Sequence, residues 1–278
     1  VHFSQVDYCE VPHIAALASL GSVPAAAGER LDNIVKNNTL RVGTPGDYRP
    51  FAMKEDSGYA GHDIDVVKAM AEVYGWKVEF VPTTWKQMAA DLKDNRFDVA
   101  VGGITRSPAR ALIADFLPAY APFGKVALVN VKMKNKFRTL DDLNQPDKKV
   151  AVKTGSTGDV YATKNLPEAQ IVRLADESAC VTEVVQGKAD GFLYDQLTIY
   201  RNNVANPDTT EAIFIPFQEA ESWGIAVKKG DTELLDQLNE FIAASKTDGE
   251  FDRLTEKHLA DEKRAFDEHG FKWFFDFE

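Results

Sequence analysis

Cysteine is scarce in this chain. Among its 278 residues there are two, Cys9 and Cys180, with no CxxC pair and no Cys/His cluster. A structural zinc module therefore has no ligand set. In an exported protein the two thiols could pair and tie the N-terminal segment to the body; otherwise they are isolated buried thiols. Histidine is equally thin. His2, His13, His62, His258 and His269 are dispersed and HExxH is absent, so neither a metal nor a cofactor is expected. No apolar run approaches the roughly 18 residues of a spanning helix. Positive charge is in deficit: 32 basic against 43 acidic residues give −11. Scattered Lys and Arg in that background form no basic face, which argues against nucleic acid and against anionic membrane surfaces. Walker A, GxGxxG and GxSxG patterns are also missing, so nucleotide-cradling loops and a nucleophile elbow carry no signature.

What remains is an ordinary globular composition, 44% hydrophobic and 27% charged, long enough for one large domain or two modest ones. Residues 15–27 (AALASLGSVPAAA) read like the end of a secretory signal. The stretch before them has no Lys or Arg and carries Asp7 and Glu10, which a signal does not want. Residues 1–28 are thus an extension or a signal remnant.

Regular patterning begins at residue 29. Residues 31–37 predict a short helix and residues 40–43 a strand running into the turn Thr44-Pro45-Gly46-Asp47. Ile64, Val67, Met70, Ala71 and Tyr74 recur at helical spacing, with Gly75 at the C-cap. Residues 77–81 (KVEFV) predict a strand. Trp85, Met88, Ala89 and Leu92 form a second helical stripe. Residues 97–101 (FDVAV) predict a strand closed by Gly102-Gly103. The alternation resumes with strands at 126–131, 150–152, 171–172, 190–194 and 224–227 and helices near 159–165, 179–185 and 234–242. Strands alternating with ten-residue helices imply βαβ units and a parallel sheet, hence an α/β fold. Two connectors, residues 120–125 and 214–220, imply an inserted second lobe. The expected division is 29–123 with 221–278 as one lobe and 124–220 as the other.

Four local groups carry chemistry. Gly46-Asp47-Tyr48-Arg49-Pro50-Phe51 puts aromatic rings at a strand end, where they can cover a ligand. In the segment from Gly103 to Arg110 (GITRSPAR), glycine N–H groups, the Thr105 hydroxyl and the Arg110 guanidinium fork form a recipe for a carboxylate. Lys153-Thr154-Gly155-Ser156-Thr157-Gly158-Asp159 is a strand, a glycine turn and a helix start. Asp195 ends an apolar strand, where it can take an ammonium group or cap a helix. Cation and N–H donors for a carboxylate, a carboxylate for an amine and a ring for packing are the complement of a free α-amino acid.

In that order, LRVGTPGDYRPF, GYAGHDIDVVKAMAEVYG, RFDVAVGGITRSPARALIADF, VAVKTGSTGDVYA and GKADGFLYD resemble the type 2 periplasmic solute-binding proteins of the polar amino-acid group. The resemblance spans about residues 29–262. It implies two α/β lobes with central mixed sheets, joined by two hinge strands and closing on an amino acid that an ABC importer in the membrane then takes up. The protein would be periplasmic or extracellular and monomeric. The resemblance implies Arg110 with Gly103 and Thr105 for the α-carboxylate, Asp195 for the α-amino group, and Tyr48 packed on the ligand. Lys153 and Thr157 would line the second-lobe side, and Trp85 and Asp159 complete the candidate set. TPGDYRPF, FVPTTW, DNRFDVA and FRTLDDLNQP are also similar to the cyclohexadienyl dehydratases, enzymes on the same fold that remove water and carbon dioxide from prephenate or arogenate. There Asp159 would stand where that family has its general acid, a Glu. One methylene shorter, it would miss by about 1 Å, which can cost on the order of a hundredfold. Ligand side-chain preference is open at this level: Asp47, Glu55, Asp159 and Glu219 suit a cationic ligand such as arginine, whereas Lys153 suits glutamine or an acidic one.

Overall fold

The computed structural model describes residues 28–118, 121–134, 136–214 and 221–268. The chain runs α1 (Glu29–Asn37), β1 (Thr39–Thr44), β2 (Asp47–Tyr48), β3 (Ala52–Glu55), β4 (Gly58–Ala60), α2 (His62–Val73), β5 (Lys77–Pro82), α3 (Met88–Lys93), β6 (Val99–Thr105), α4 (Pro108–Ala111), β7 (Ala114–Phe116) and β8 (Ala121–Phe123). It continues through β9 (Lys125–Asn130), β10 (Lys149–Lys153), α5 (Thr157–Asn165), β11 (Gln170–Leu174), α6 (Glu177–Val185), β12 (Gly191–Asp195), α7 (Gln196–Ala205) and β13 (Thr210–Ile213). It closes with β14 (Glu221–Lys228), α8 (Thr232–Thr247) and α9 (Glu250–Glu268).

Two sheets organise the molecule as two lobes. The first has the order β5-β1-β6-β14-β7, with β8 also on β14; the second has the order β11-β10-β12-β9-β13. The βαβ units give the expected parallel pairs, β5-β1-β6 in one sheet and β11-β10-β12 in the other. The sheets as wholes are mixed, as the family resemblance implies. The strands that cross between them, β9 and β14, enter antiparallel to β12 and β6. Local periodicity reports the helical crossovers of parallel pairs but not the direction of a returning chain.

Burial follows the pattern. All seven residues of β6 and all five of β12 are buried, as central strands require. Helix α2 lays Ile64, Val67, Met70 and Ala71 on the sheet and ends at Gly75, whose φ of +72° suits the left-handed C′ position. The amphipathic α8 buries Leu234, Leu238, Phe241 and Ile242. Helix α9, which the sequence reading did not foresee, docks on α2 through Lys257 and His258, both within 2.7 Å of Asp65. Its far end reaches the second lobe: Phe266 lies 6.3 Å from the Tyr200 ring and Glu262 3.9 Å from Arg201.

Two expectations change. Trp85 is not on the helix it was grouped with, because α3 begins at Met88 and Trp85 sits in the preceding turn. The strand ending in Gly102-Gly103 does not stop there. β6 runs through both glycines, at φ +122° and +65°, to Thr105. The short sheet β2-β3-β4 carries the Tyr48 loop. Cys180 is buried, and burial pushes its thiol up to about 12. Cys9, and with it the pairing question, lies outside the described residues, as do the signal-like segment and the C-terminal residues 269–278.

Candidate functional site

Three loops at strand ends and the two crossing strands converge on one cleft between the lobes. It holds about 380 Å³ of space between side chains, open mouth included. Tyr48, Trp85, Gly103, Thr105, Arg110 and Trp223 line it from the first lobe, Ser156, Thr157, Gly158, Tyr194 and Asp195 from the second, and Lys125 from the crossing strand. Of the nine residues singled out in the sequence, seven come together here: Tyr48, Trp85, Gly103, Thr105, Arg110, Thr157 and Asp195.

The floor is aromatic. Tyr48 is buried against Phe51 at 5.2 Å and Trp223 at 5.8 Å, and meets Tyr194 of the second lobe edge-on at 5.9 Å. Gly103 is required here by close approach: a Cβ on it would stand 2.5 Å from the Tyr48 ring, and its φ is positive. Its N–H is not available for an anion, contrary to expectation. Asp63, buried at the start of α2, accepts from both Gly102 N and Gly103 N, at 2.9 and 2.8 Å, through one oxygen, Oδ2. The glycine N–H groups thus hold the floor in place.

Arg110 lies in the short helix α4, whose N-cap Ser107 accepts from its backbone N–H. Its Nη1 donates to the Thr105 carbonyl at 3.2 Å and its guanidinium lies 5.8 Å from the Trp85 ring centre. Burial lowers its pKa from the ordinary value, and Glu221 and Tyr194 oppose that. It stays protonated at any working pH. On the other side, Asp195 is 5% exposed and caps α7, Oδ1 accepting from Thr198 N at 2.9 Å. Its second oxygen, Oδ2, is buried with no hydrogen-bond partner, as is the Tyr48 hydroxyl. One oxygen caps the helix, and the Tyr48 hydroxyl faces the same carboxylate. Burial, and then the Asp195 charge, push the Tyr48 phenol well above its usual range, so Tyr48 presents a neutral O–H.

Lys153 and Asp159 go elsewhere. The Lys153 ammonium, fully buried, crosses to the first lobe, 2.9 Å from Asp47 Oδ2 and 3.2 Å from the Asp47 carbonyl, and lies 5.4 Å from the Trp85 ring centre. The Trp85 indole N–H donates to the other Asp47 oxygen at 2.9 Å. Asp159 does not line the cleft. Its Oδ2 accepts from Gly155 N at 3.0 Å, and its Oδ1 lies 3.0 Å from Arg173 Nε and 3.2 Å from the Thr163 hydroxyl. The carboxylate is spent on its own turn and on β11.

The sequence reading missed the charges on the crossing strands. Lys125 starts β9, 2% exposed, and is ion-paired with Glu221 at the start of β14. Burial lowers the Lys125 pKa, partly offset by Glu221 and Asp195. A lysine heading the apolar run VALVN was the available signal. Trp223 and Tyr194, also missed, read as core aromatics in their strands.

The chain is 36% identical over 200 residues, 71% of its length and 75% of the relative's, to the cyclohexadienyl dehydratase of Pseudomonas aeruginosa. It is 31% identical over 258 residues, 92% of its length and 96% of the relative's, to the L-cystine-binding protein TcyJ of Escherichia coli. Among solved structures it is similar to the ancestral amino acid-binding protein AncCDT-1, a precursor of cyclohexadienyl dehydratase, with a TM-score of 0.74 and 39% identity across 82% of this chain and 98% of that one. With a family model matching residues 40–261 in addition, the chain belongs to the bacterial extracellular solute-binding proteins, family 3.

Proposed function

We propose that this chain captures a free α-amino acid between its lobes, outside the cytoplasm, and delivers it to an ABC permease. Arg110 takes the α-carboxylate with Thr105 beside it, Asp195 takes the α-ammonium, and Tyr48 and Trp85 wall the ligand, with Gly103 and Thr157 shaping the cleft. The lobes are residues 29–123 with 221–278, and 124–220. They open and close about the two crossings, and the closed, loaded form is what a permease recognises. The observation that carries this reading is the buried, unpartnered Asp195 Oδ2, which lines the same cleft as the Arg110 guanidinium. An orphaned buried carboxylate oxygen is costly unless a donor completes it, and an ammonium group is such a donor.

The dehydratase reading needs a carboxylic acid aimed at the leaving hydroxyl. Asp159, its candidate, is turned away and bound to Arg173, Thr163 and Gly155. No other observation favours that reading beyond the relative that bears the name.

Thermal melting against the twenty amino acids, cystine, prephenate and arogenate tests the proposal. A ligand at about 100 times its Kd adds about 2.7 kcal/mol, a rise of roughly 5–10 °C for a chain of this size. A rise with amino acids and none with prephenate is expected. No rise with any amino acid, with phenylpyruvate or phenylalanine formed in the last two wells, overturns it.

A further inference from the structure

Helix α9 touches both lobes. By chain order it follows β14 and α8 and belongs to the first lobe, and its first half is fastened there. Lys257 and His258 meet Asp65 of α2 at 2.6 and 2.7 Å, and the Phe251 ring lies edge-on to His62 with 5.3 Å between centres. Its far end is fastened to the second lobe. Phe266, 2% exposed, meets Tyr200 of α7 edge-on at 6.3 Å, and Glu262 lies 3.9 Å from Arg201 of the same helix. Both partners are themselves held. Arg201 lies 3.7 Å from Glu177 of α6, and the Tyr200 ring packs at 6.4 Å on Phe214, the first residue of the 214–220 connector. Helix α7 is also the one that Asp195 caps from inside the cleft. Its first turn thus carries a cleft carboxylate, and its middle is gripped from the other lobe beside a crossing.

We infer that the end of α9 is a strap across the hinge, holding the lobes in their closed arrangement through Phe266 on Tyr200 and Glu262 on Arg201. The inference rests on the hinge reading proposed above. In this structure the strap coexists with the contacts that shut the cleft, Tyr48 against Tyr194 at 5.9 Å and Lys153 on Asp47 at 2.9 Å. Rotating one lobe about the crossings moves α7 against α9, because α9 is pinned to α2 and α7 lies on the second sheet. A packed ring contact is made or lost rather than stretched. The strap therefore adds to the fraction of closed protein before any ligand arrives, and a ligand that needs the closed form binds more tightly by that factor. An aromatic pair biases such an equilibrium roughly two- to twelvefold, and an ion pair near the surface up to about fivefold.

Pulsed electron resonance between spin labels on Leu112→Cys and Val160→Cys, in the full chain with Cys9→Ser, reads the lobe separation directly. Both positions are exposed; Leu112 lies just beyond Arg110 on the first lobe, and Val160 one turn beyond Thr157 on the second. Without ligand, Phe266→Ala should add a longer-distance population. Titration calorimetry should show it weakening whichever of the twenty amino acids or cystine binds best, by roughly two- to twelvefold. Glu262→Gln keeps the aromatic contact and should act in the same direction, by up to about fivefold, with the effect fading in 1 M salt. Lys257→Met, whose contact lies within the first lobe, should leave the distances unchanged. Circular dichroism verifies folding, and if Phe266→Ala does not fold, Glu262→Gln decides. Folded variants with wild-type distances and affinities overturn the strap and leave capture to its own test. So do shorter distances with tighter binding, or an equal shift in Lys257→Met. A longer-distance population in the variants, with no amino acid bound by any of the proteins, overturns capture and leaves the strap standing.

Discussion

Replacing Arg110 by alanine separates ligand recognition from stability. In the protein the guanidinium donates one 3.2 Å hydrogen bond, to the Thr105 carbonyl, and lies 5.8 Å from the Trp85 ring centre. A long neutral-acceptor bond contributes about 1 kcal/mol, and a cation near a ring about 0.5–1 kcal/mol. Against these stands the burial that lowers the Arg110 pKa, a desolvation cost that alanine removes. The unliganded variant should therefore melt within a few degrees of the wild type, at about 2–4 °C per kcal/mol for domains of this size. Binding is a different matter. A ligand carboxylate left in the cleft without its cation loses charge-assisted hydrogen bonds and remains partly desolvated. Breaking such a pair costs about 3–5 kcal/mol, or roughly two to three and a half decades in Kd. Titration calorimetry with the best ligand, beside melting of both proteins without ligand, reads the two effects apart. Arg110→Lys should recover part of the loss, since it restores charge but not the two-pronged donor. Affinity retained within tenfold in Arg110→Ala would refute the assignment. So would a melting temperature that falls by more than about 10 °C, because the residue would then be a structural strut.

Other perturbations test the remaining parts. Asp63→Ala should leave the Gly102 and Gly103 N–H groups without their acceptor, at about 1–3 kcal/mol each; a urea titration showing less than 1 kcal/mol of lost stability would contradict the floor-anchoring role. Gly103→Ala combines a left-handed backbone, worth about 1–2 kcal/mol, with a collision on Tyr48, so both the melting temperature and ligand affinity should fall, and an unaffected variant would show that the floor is pliant. At Asp65, burial raises the pKa, but hydrogen bonds from Lys257 and His258 outweigh it and the carboxyl is held below its usual value. A depressed folded pKa means stabilisation that is present above the unfolded value of about 3.9 and is lost as pH falls through the lower folded one. Melting curves from pH 7 to pH 2.5 should accordingly show a steeper acid-side loss for the wild type than for Asp65→Asn, and parallel curves would remove Asp65 from the α2–α9 contact. Asp195→Ala should weaken amino acids far more than the matching deaminated acids, an equal loss for both being the contrary result.

The fold was legible where periodicity and packing agree. Strands β6, β10 and β12 are apolar runs because both of their faces are covered, and α2 and α8 carry one apolar stripe because they cover one face. Sheet direction was not legible from periodicity, since no residue in β9 or β14 reports whether the chain is leaving or returning; the mixed sheets followed only from the family resemblance. The site was legible by residue type and less so by use. Arg110 and Asp195 could be named because a cation and a carboxylate at strand ends have few reasons to be there. The Gly103 amide could not be assigned, because whether a glycine N–H is free depends on Asp63, forty residues earlier in sequence and on another element. Lys153 and Asp159, six residues apart on one turn, read alike as second-lobe polar groups. The structure sends the first across the cleft to Asp47 and the second away from it to Arg173. That difference turns on the helix start at Thr157: Lys153 ends its strand inside the sheet, while Asp159 lies beyond the Ser156 cap, where its own carboxylate closes back on the Gly155 amide. A sequence motif fixes the chemistry of a turn, but which of its groups reaches a ligand is set by partners that come from elsewhere in the chain.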